Sequence, residues 1–369
     1  MRVLVIVPWP ERLGGAEAML QTILDGAGES SHEIELVFLE DGSWPRELAR
    51  AGFRVDVIEA GRLRHVHRWA ATVLRLARIL RRRRPDIVFS WASKTQLYGA
   101  PAAVLAGMRD RVVWWQHSIA QKVWLERLAN RLPATAIACY SEAAARAQAQ
   151  MRPPRRTVVI PAGAAPLEDG RPAAPLALPA GVPVIGIVGR LQPWKGQDRL
   201  IGALALLRER GREAHLLIVG GDSYELSPEY AASLPRTASA LGLSGHVTMT
   251  GEVPDARPFI ARMDVLVNAS DPEPFGIVLT EGMAAGLPVV AVDAGGPAEI
   301  VEDGRTGILA RSGSSADLAD ALEPLLASPQ LRSEMGAAGR ERYAAEYTAE
   351  AVRRRFFAAL EGIAATAPR

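Results

Sequence analysis

The chain has 369 residues, of which 49% are hydrophobic and 23% charged, and its net charge is +2. This length predicts two domains, and the composition excludes a disordered or fibrous protein. The small net charge argues against a nucleic-acid or general polyanion binder. Cys139 is the only cysteine, which excludes an internal disulfide and a cysteine-based zinc site.

Two apolar stretches of the sequence could be membrane segments, but neither has the features of a signal peptide or a membrane-spanning helix. Residues 1–8 are apolar over too short a stretch for a signal peptide and lead at once into prolines. The uncharged run from Pro172 to Gly189 contains four prolines, which favours a linker over a membrane-spanning helix. The sequence therefore predicts a cytoplasmic protein, with peripheral contact to the cytoplasmic membrane face as an option.

Buried strands alternate with helices along the first part of the chain. The first helix is predicted to begin at Gly14-Gly15 and to continue to about Asp25. The apolar runs that predict strands are Arg2–Val7, Glu33–Leu39, Arg54–Ile58, Asp86–Ser90, Val112–Trp115 and Thr135–Cys139. Such alternation is typical of a doubly wound parallel sheet.

A second alternating set follows a segment rich in Ala, Pro and Gly between Gly163 and Pro183. Its predicted strands are Pro183–Val188, Ala214–Val219, His246–Thr250, Asp264–Asn268, Pro288–Val292 and Gly307–Leu309. A final helix is predicted from about Tyr347 to Ile363. The fold class is therefore α/β, with two doubly wound Rossmann-like domains, residues 1–165 and 166–346, whose parallel sheets face a cleft.

The near-zero net charge hides a difference between the two predicted domains. Residues 1–165 carry a formal charge of +9 and residues 166–369 carry −7. Nine arginines lie within Arg62–Arg84, the segment before the strand at Asp86. A solvated helix face explains them, and so does a surface for an anionic membrane or an anionic acceptor.

The most informative motif lies in the second domain and runs from Asp271 to Glu281. A strand ends just before it, a proline-broken turn carries Glu273, and a helix begins near Gly276 and contains Glu281. Free N–H groups at a helix start suit a phosphate, and a carboxylate one or two turns later can accept hydrogen bonds from a ribose. The alternative is that Glu273 caps the helix and Glu281 is an ordinary surface residue.

A second motif opens the second domain, where Arg190 and Lys195 follow its first strand. Two cations after a strand can neutralise a diphosphate and the charge that grows on it when it leaves. The alternative is that both are solvated loop residues. The glycines Gly186 and Gly189 do not form the dinucleotide fingerprint, so the sequence gives little support to NAD binding. Lys195 is one of only three lysines, beside 40 arginines.

Two weaker signals lie in the first domain. Gly14-Gly15 opens its first helix and would let the backbone approach a sugar or an anion. His117 follows the apolar run that begins at Val112, where an imidazole can hydrogen-bond a sugar hydroxyl, although a purely structural histidine is the simpler explanation.

Taken in this order, the motifs resemble a retaining glycosyltransferase of the GT-B fold, in the group called family 4, over almost the whole chain. Glu273 and Glu281 match the E-x7-E motif of that family, and Arg190 and Lys195 match its diphosphate-binding cations. Gly14-Gly15 matches its glycine loop, and His117 its amino-domain histidine. In such folds the last helix returns to the amino domain, which assigns residues 347–369 to it.

The resemblance also implies roles. His117, Arg190, Lys195 and Glu273 would be catalytic. The donor-binding set would be Gly15, Gly189, Gly220, Gly221, Gly251, Val253, Phe275, Gly276, Ile277, Val278 and Glu281. Acceptor-side residues would be Gly14, Trp91, Lys94 and Gln96. No catalytic metal is expected, because the sequence has no Asp-x-Asp motif. No cofactor is expected beside the nucleoside diphosphate sugar, which is the donor substrate.

The implied reaction moves a sugar from a UDP- or GDP-sugar donor to a hydroxyl of a glycan, a lipid-linked or a small-molecule acceptor, with retention of configuration. The acceptor contact differs from that of some relatives, because Ser90-Trp91-Ala92 replaces a histidine found there. Two alternatives are a nucleotide-sugar epimerase or hydrolase of the same fold, and a sugar-nucleotide-binding protein without activity.

Overall fold

In a computed structural model, the described residues are 1–12, 14–29, 31–61, 63–121, 123–166, 175–222 and 226–366. The chain divides into two units, Met1–Ala162 with Glu350–Arg369, and Gly163–Ala349. The first boundary lies three residues before the predicted one, and the second lies at Glu350 instead of near residue 347. Part of the predicted linker, residues 167–174, lies outside the described residues.

The first unit is built on a parallel sheet with the strand order β3-β2-β1-β4-β5-β6-β7. Its strands are β1 (Arg2–Val7), β2 (Glu33–Phe38), β3 (Arg54–Val57), β4 (Ile87–Ser90), β5 (Val112–Gln116), β6 (Ala136–Cys139) and β7 (Thr157–Val159). Its helices are α1 (Gly15–Asp25), α2 (Ser43–Arg50), α3 (Val66–Arg83), α4 (Ser93–Leu105), α5 (Trp124–Arg131), α6 (Glu142–Ala149) and, from the carboxyl terminus, α14 (Ala349–Thr366).

Buried side chains fill both faces of this sheet, as its continuous apolar strands predict. Right-handed crossovers place α1 and α2 on one face and α3 to α6 on the other. The α14 helix packs within this unit, because the Phe356 ring lies 5.7 Å from Phe89 and stacks at 6.2 Å on Trp115. The last helix therefore supplies core side chains to the amino-terminal sheet.

The second unit has a six-stranded parallel sheet with the order β10-β9-β8-β11-β12-β13. Its strands are β8 (Val184–Val188), β9 (His215–Val219), β10 (Val247–Met249), β11 (Val265–Asn268), β12 (Val289–Val292) and β13 (Gly307–Ala310). Its helices are α7 (Gln197–Glu209), α8 (Pro228–Ala240), α9 (Arg257–Ile260), α10 (Ile277–Ala284), α11 (Pro297–Ile300), α12 (Ser315–Ala327) and α13 (Pro329–Glu346).

The strand order reverses in each sheet at one place, between β1 and β4 in the first unit and between β8 and β11 in the second. Helices leave toward opposite faces at such a point, which opens a crevice outside the carboxyl ends of the strands. Gly14-Gly15 follows β1, Lys195 follows β8 and Glu273 follows β11, whereas His117 follows β5, the neighbour of β4. Each unit therefore presents part of its candidate set at its own topological switch point and the rest at the ends of the neighbouring strands.

The sequence missed one strand, β7, which is three residues long and partly exposed at the edge of its sheet. This strand follows the proline-rich segment that begins at Arg152, and its three residues are too few to show an alternating pattern. Across the described ranges, no helix combines the length and hydropathy needed to cross a bilayer.

Candidate functional site

The loop between β11 and α10 holds Glu273 in a buried position. Glu273 is 6% exposed, its carboxylate lies 3.5 Å from Asn268 Nδ2, and its carbonyl accepts a hydrogen bond from the Gly296 amide at 2.9 Å. Gly276, with φ at 98°, ends the loop in the left-handed region that favours glycine. The first N–H groups of α10, at Ile277 and Val278, precede the first intrahelical acceptors and suit an anion, whereas the Leu279 amide donates to the Gly276 carbonyl at 2.9 Å.

Lys195 forms an ion pair with Glu273, and its Nζ lies 2.7 Å from Oε2. The two residues meet because β8 and β11 are neighbours, so the loops that follow them converge. The ammonium also lies 4.0 Å from the centroid of the Trp194 ring. Arg190, partly exposed on the same loop, accepts a hydrogen bond at its carbonyl from Gln197, and its guanidinium makes no ion pair within the described part of the chain.

Four glycines bring the ends of β8, β9 and β10 close together. The Gly220 amide donates to the Gly251 carbonyl at 3.2 Å, and Gly221 is buried beside it. Gly220 has φ at 133°, and a Cβ there would lie 2.2 Å from the carbonyl oxygen of Gly189. Val253 is partly buried on the segment that follows. A side chain at Gly220 would therefore push this edge of the sheet apart.

Glu281 lies in the second turn of α10 and is partly buried. Burial raises the pKa of its carboxyl to about 7, although the nearby Arg257 guanidinium lowers it and Asp255 raises it further. Arg257 is itself bound to Asp255, with Nε 3.0 Å from Oδ1. Glu281 is therefore a carboxyl that titrates near neutrality, beside the start of α10.

His117 directly follows β5, and both of its ring nitrogens have hydrogen-bond partners, one a backbone carbonyl and the other a side chain. Nε2 donates to the Trp91 carbonyl, and because a carbonyl only accepts, Nδ1 must accept from the Tyr140 hydroxyl, 2.8 Å away. The ring also stacks on Trp115 at 5.7 Å. Burial lowers the pKa of His117 to about 4, against an opposite effect of the Trp91 carbonyl, so the imidazole is neutral at pH 7.

The acceptor-side residues predicted from the sequence fall into two classes. Trp91 and Gln96 are both 0% exposed, and their side chains donate to the Ala16 and Pro133 carbonyls at 3.2 and 3.0 Å. The structure therefore corrects the expectation that these two side chains face an acceptor, because they are packed inside the unit. Lys94, in contrast, is partly exposed in the first turn of α4.

The glycine loop lies next to this cluster. Gly14 is the N-cap of α1, which begins at Gly15, and a Cβ at Gly14 would meet the Glu17 carboxylate at 2.9 Å. The hydrogen bond from Trp91 to the Ala16 carbonyl ties the loop to the end of β4. The loop, Trp91 and His117 therefore form one hydrogen-bonded group at the carboxyl edge of the first sheet.

Sequence reasoning missed several residues that shape these sites. Tyr140 is the partner of His117, and Arg199 donates to the Ala269 carbonyl at 2.7 Å, which joins α7 to the end of β11. Glu126 is 6% exposed and accepts hydrogen bonds from Gln116, Ser118 and the Gln121 amide. Polar residues at strand ends were the available signal for Tyr140. Lys122, in the same loop, lies outside the described residues.

Metal-binding side chains do not gather in the described ranges, where no group of three or more His, Cys, Asp or Glu could hold an ion. The prediction of a metal-independent reaction stays a prediction.

Comparison with known proteins assigns each half of the chain to a family model. Residues 13–166 match the model described as Glycosyltransferase Family 4, and residues 173–342 match that described as Glycosyl transferases group 1. The two matches follow one another along the sequence with a short gap between them.

Curated relatives share part of their length with the chain. The D-inositol 3-phosphate glycosyltransferase of Nocardia farcinica is 38% identical over 190 residues, 49% of this chain and 42% of the relative. The lipopolysaccharide core biosynthesis glycosyltransferase LpsE of Rhizobium meliloti is 34% identical over 179 residues, 48% and 50% of the two chains. The chain thus matches about half the length of these relatives or less.

Solved structures match over nearly the full length. HepE of Anabaena, crystallised with UDP and glucose, is 25% identical with a TM-score of 0.82, over 97% of this chain and 99% of HepE. A glycosyltransferase from Rickettsia africae gives the same TM-score at 19% identity, over 98% of each chain. The predicted fold class, two parallel α/β Rossmann-like domains of the GT-B type, is confirmed.

Proposed function

The chain belongs to the glycosyltransferases, with a Family 4 amino-terminal half and a group 1 carboxyl-terminal half, and we propose that it transfers a sugar from a nucleoside diphosphate sugar to an acceptor hydroxyl with retention of configuration. The observation that carries the proposal is the Lys195–Glu273 pair at the switch point of the second sheet. It combines a cation for phosphate with a buried carboxylate for sugar hydroxyls. HepE, which binds UDP-glucose, supports a UDP-sugar as donor.

The diphosphate is assigned to Arg190, Lys195 and the first amides of α10. Arginine and lysine hold phosphate oxygens through charge-assisted hydrogen bonds. Negative charge on the leaving phosphate grows in the transition state, so cations fixed beside it lower the barrier more than they strengthen ground-state binding. Phe275, 4% exposed, packs 6.2 Å from Tyr347 and supports the loop before these amides.

The sugar and the nucleoside are assigned to two carboxylates and a set of glycines. Glu273 accepts hydrogen bonds from donor-sugar hydroxyls, and Glu281 accepts them from the ribose. The glycine edge at Gly189, Gly220 and Gly251 leaves room for the nucleoside to approach the backbone. Val278 and Gly15 contribute backbone N–H groups. In this mechanism the leaving phosphate accepts the proton of the attacking hydroxyl on the same face of the sugar.

His117 takes part as a neutral donor or acceptor of hydrogen bonds. A group whose pKa lies near 4 is deprotonated above pH 5, so it does not supply a proton to the leaving group at neutral pH. Because Nε2 already donates to the Trp91 carbonyl, a sugar hydroxyl must share or replace that hydrogen bond.

We further propose peripheral contact with an anionic membrane through α3. Seven arginines of the segment that ends at Arg84 are exposed, and the same helix exposes Val66 (71%) and Leu74 (48%). Arg83 does not belong to this surface, because it is buried against Glu35 and Asp56. Co-sedimentation with phosphatidylglycerol vesicles at low salt tests the contact, and equal recovery with neutral vesicles contradicts it.

Donor binding and turnover test the main proposal. UDP-glucose, UDP-N-acetylglucosamine and GDP-mannose are screened by thermal shift, and we expect one of them to raise Tm by several degrees at saturating concentration. That donor should release its nucleotide in EDTA as fast as with added Mg²⁺. Product analysis with donor alone separates transfer from epimerisation and hydrolysis. Failure of all three donors to bind would contradict the proposal, and loss of turnover in EDTA would contradict metal independence.

A further inference from the structure

A cavity of the first unit was not predicted from the sequence. It has a volume of about 920 Å³ and lies where Glu40 and Glu59 follow β2 and β3, under α3 and the first turn of α4. Ligands of doubly wound sheets bind outside the carboxyl ends of the strands, and this volume is that of a small-molecule site. The cavity therefore has both the place and the size of a ligand site.

Three cations line this cavity, Arg68 and Arg75 from α3 and Lys94 from α4. Arg68 and Arg75 are seven residues apart, which puts them on one face of the helix. The residues between them on that face, Ala71 and Thr72, are small and leave the space open. The three cations therefore converge on a common volume.

Two other arginines of α3 already have protein partners, in contrast to these three cations. Arg83 is bound to Glu35 and Asp56, and Arg81 donates to the Leu105 carbonyl. Within the described ranges, the side chains of Arg68, Arg75 and Lys94 make no hydrogen bond or ion pair. Phosphate oxygens are the partners that such a set of donors binds best.

Acidic residues on the opposite wall narrow the choice of ligand. Glu40 and Glu59 line the cavity together with Asp41, and Asp41 is already bound to Arg46, with Oδ2 2.5 Å from Nη2. A polyanion would be repelled by these carboxylates. A ligand with one phosphate and several hydroxyls satisfies both walls, because carboxylates accept hydrogen bonds from hydroxyls.

One turn of chain connects the cavity to His117. Lys94 lies three residues after Trp91, whose carbonyl accepts the hydrogen bond from His117 Nε2. The β4–α4 turn therefore joins a residue that lines the cavity to the residue that holds the histidine.

We propose that this cavity is the acceptor subsite and that the acceptor is a phosphorylated polyhydroxy compound, with its phosphate on Arg68, Arg75 and Lys94 and its hydroxyls toward Glu40 and Glu59. The role of the bound compound as acceptor rests on the proposed function, whereas binding of its phosphate does not depend on turnover. The same chemistry occurs in a free sugar phosphate and in a phosphorylated lipid headgroup.

The test measures direct binding of soluble phosphates by the broadening of their ³¹P NMR lines. Saturating UDP is present throughout, so that the donor site is blocked. The probes are myo-inositol 1-phosphate, glucose 6-phosphate and inorganic phosphate, and unlabelled myo-inositol serves as the uncharged competitor. We expect at least one sugar phosphate to bind more tightly than inorganic phosphate. The variant R75Q combined with K94Q should weaken that binding about tenfold or more.

Matched variants make the result specific. R78Q removes an exposed arginine of the same helix that does not line the cavity, and it should bind the probe as the wild type does. K195A should also leave the probe bound, whereas it should lower kcat about a hundredfold or more, so that failure of the acceptor site and failure of the proposed function give different patterns.

Two results would overturn the inference: no sugar phosphate binds better than inorganic phosphate, or R78Q weakens binding as much as R75Q with K94Q. The lipid form is tested by adding vesicles with phosphatidylinositol. Displacement of the soluble probe by these vesicles assigns the subsite to a lipid headgroup, and lack of displacement assigns it to a free phosphate ester.

Discussion

The two switch points of this molecule use opposite chemistry on the same kind of sheet. In the second unit, a lysine and a glutamate from neighbouring loops form a 2.7 Å ion pair. In the first unit, aromatic rings surround His117, and burial lowers its pKa to about 4. The comparison teaches that the second unit places an ion pair at its strand ends, whereas the first places a neutral, hydrogen-bonded histidine there.

The largest expected effect comes from removing the cation of the second unit. Lys195→Ala should lower kcat about a hundredfold or more, which corresponds to about 2.7 kcal/mol of transition-state stabilisation. Steady-state kinetics with saturating donor measure it. Arg311→Ala removes an exposed cation of the same unit, 81% exposed at its side chain, and should leave kcat unchanged.

Removing Lys195 also leaves the buried Glu273 carboxylate without its ion pair, which lowers stability. The double variant Lys195→Met with Glu273→Gln contains no unpaired charge and should regain Tm without regaining turnover. Recovery of turnover in the double variant would show that the ion pair acts only in folding, and the contrast between the two units would lose its basis.

An intermediate effect concerns the pH dependence of nucleotide binding. Glu281 has a pKa of about 7 because of burial, and ribose hydroxyls prefer its ionised form as acceptor. Below pH 7 the carboxyl must release a proton before it binds, so UDP affinity should rise as pH rises, by about tenfold between pH 6 and pH 8. Calorimetry measures the dissociation constants. Glu281→Gln should bind UDP more weakly and remove this pH dependence.

A flat pH profile in the wild type would argue that Glu281 does not contact the nucleotide. His117 should add no change of its own over this range, because it is deprotonated throughout. We therefore expect the pH dependence of UDP affinity between pH 6 and pH 8 to come from Glu281 in the second unit and not from His117 in the first.

The smallest expected effect comes from Tyr140, the hydrogen-bond donor to His117 Nδ1. Tyr140→Phe removes that donor and should lower kcat about three- to tenfold, with a loss of about 1 kcal/mol of stability. Tyr98→Phe is the matched control, because the Tyr98 hydroxyl is buried in the same unit and has no hydrogen-bond partner among the described residues. Equal activities for the two variants would limit Tyr140 to a packing role.

Most of the fold could be predicted from the sequence because its strands are buried on both faces. Continuous runs such as Arg2–Val7 have an unambiguous pattern, and the predicted bounds agree with the structure to within a residue or two. The strand at Thr157–Val159 could not be predicted, because three partly exposed residues at a sheet edge carry no periodicity. Its position is determined by pairing with β6.

Lys195 and Glu273 in the second unit were predictable because each lies in a loop that follows a buried strand. Lys195 and Glu273 are 78 residues apart in sequence, and the adjacency of β8 and β11 brings them together. In the first unit, the residue types at Trp91 and Gln96 suggested acceptor contacts, yet both side chains are buried. Exposure depends on which helices cover a strand end, and the sequence pattern of one strand does not contain that information.

By itself the sequence determined the two alternating α/β halves, the family and the strand-end positions of the charged motifs, because burial and glycine turns leave local patterns. Only the tertiary structure decided which of those groups meet. It paired Lys195 with Glu273, enclosed His117 between Tyr140 and the Trp91 carbonyl, and left three cations of the first unit facing one cavity. These outcomes depend on contacts between residues distant in sequence, and such contacts exist only once the sheets have formed.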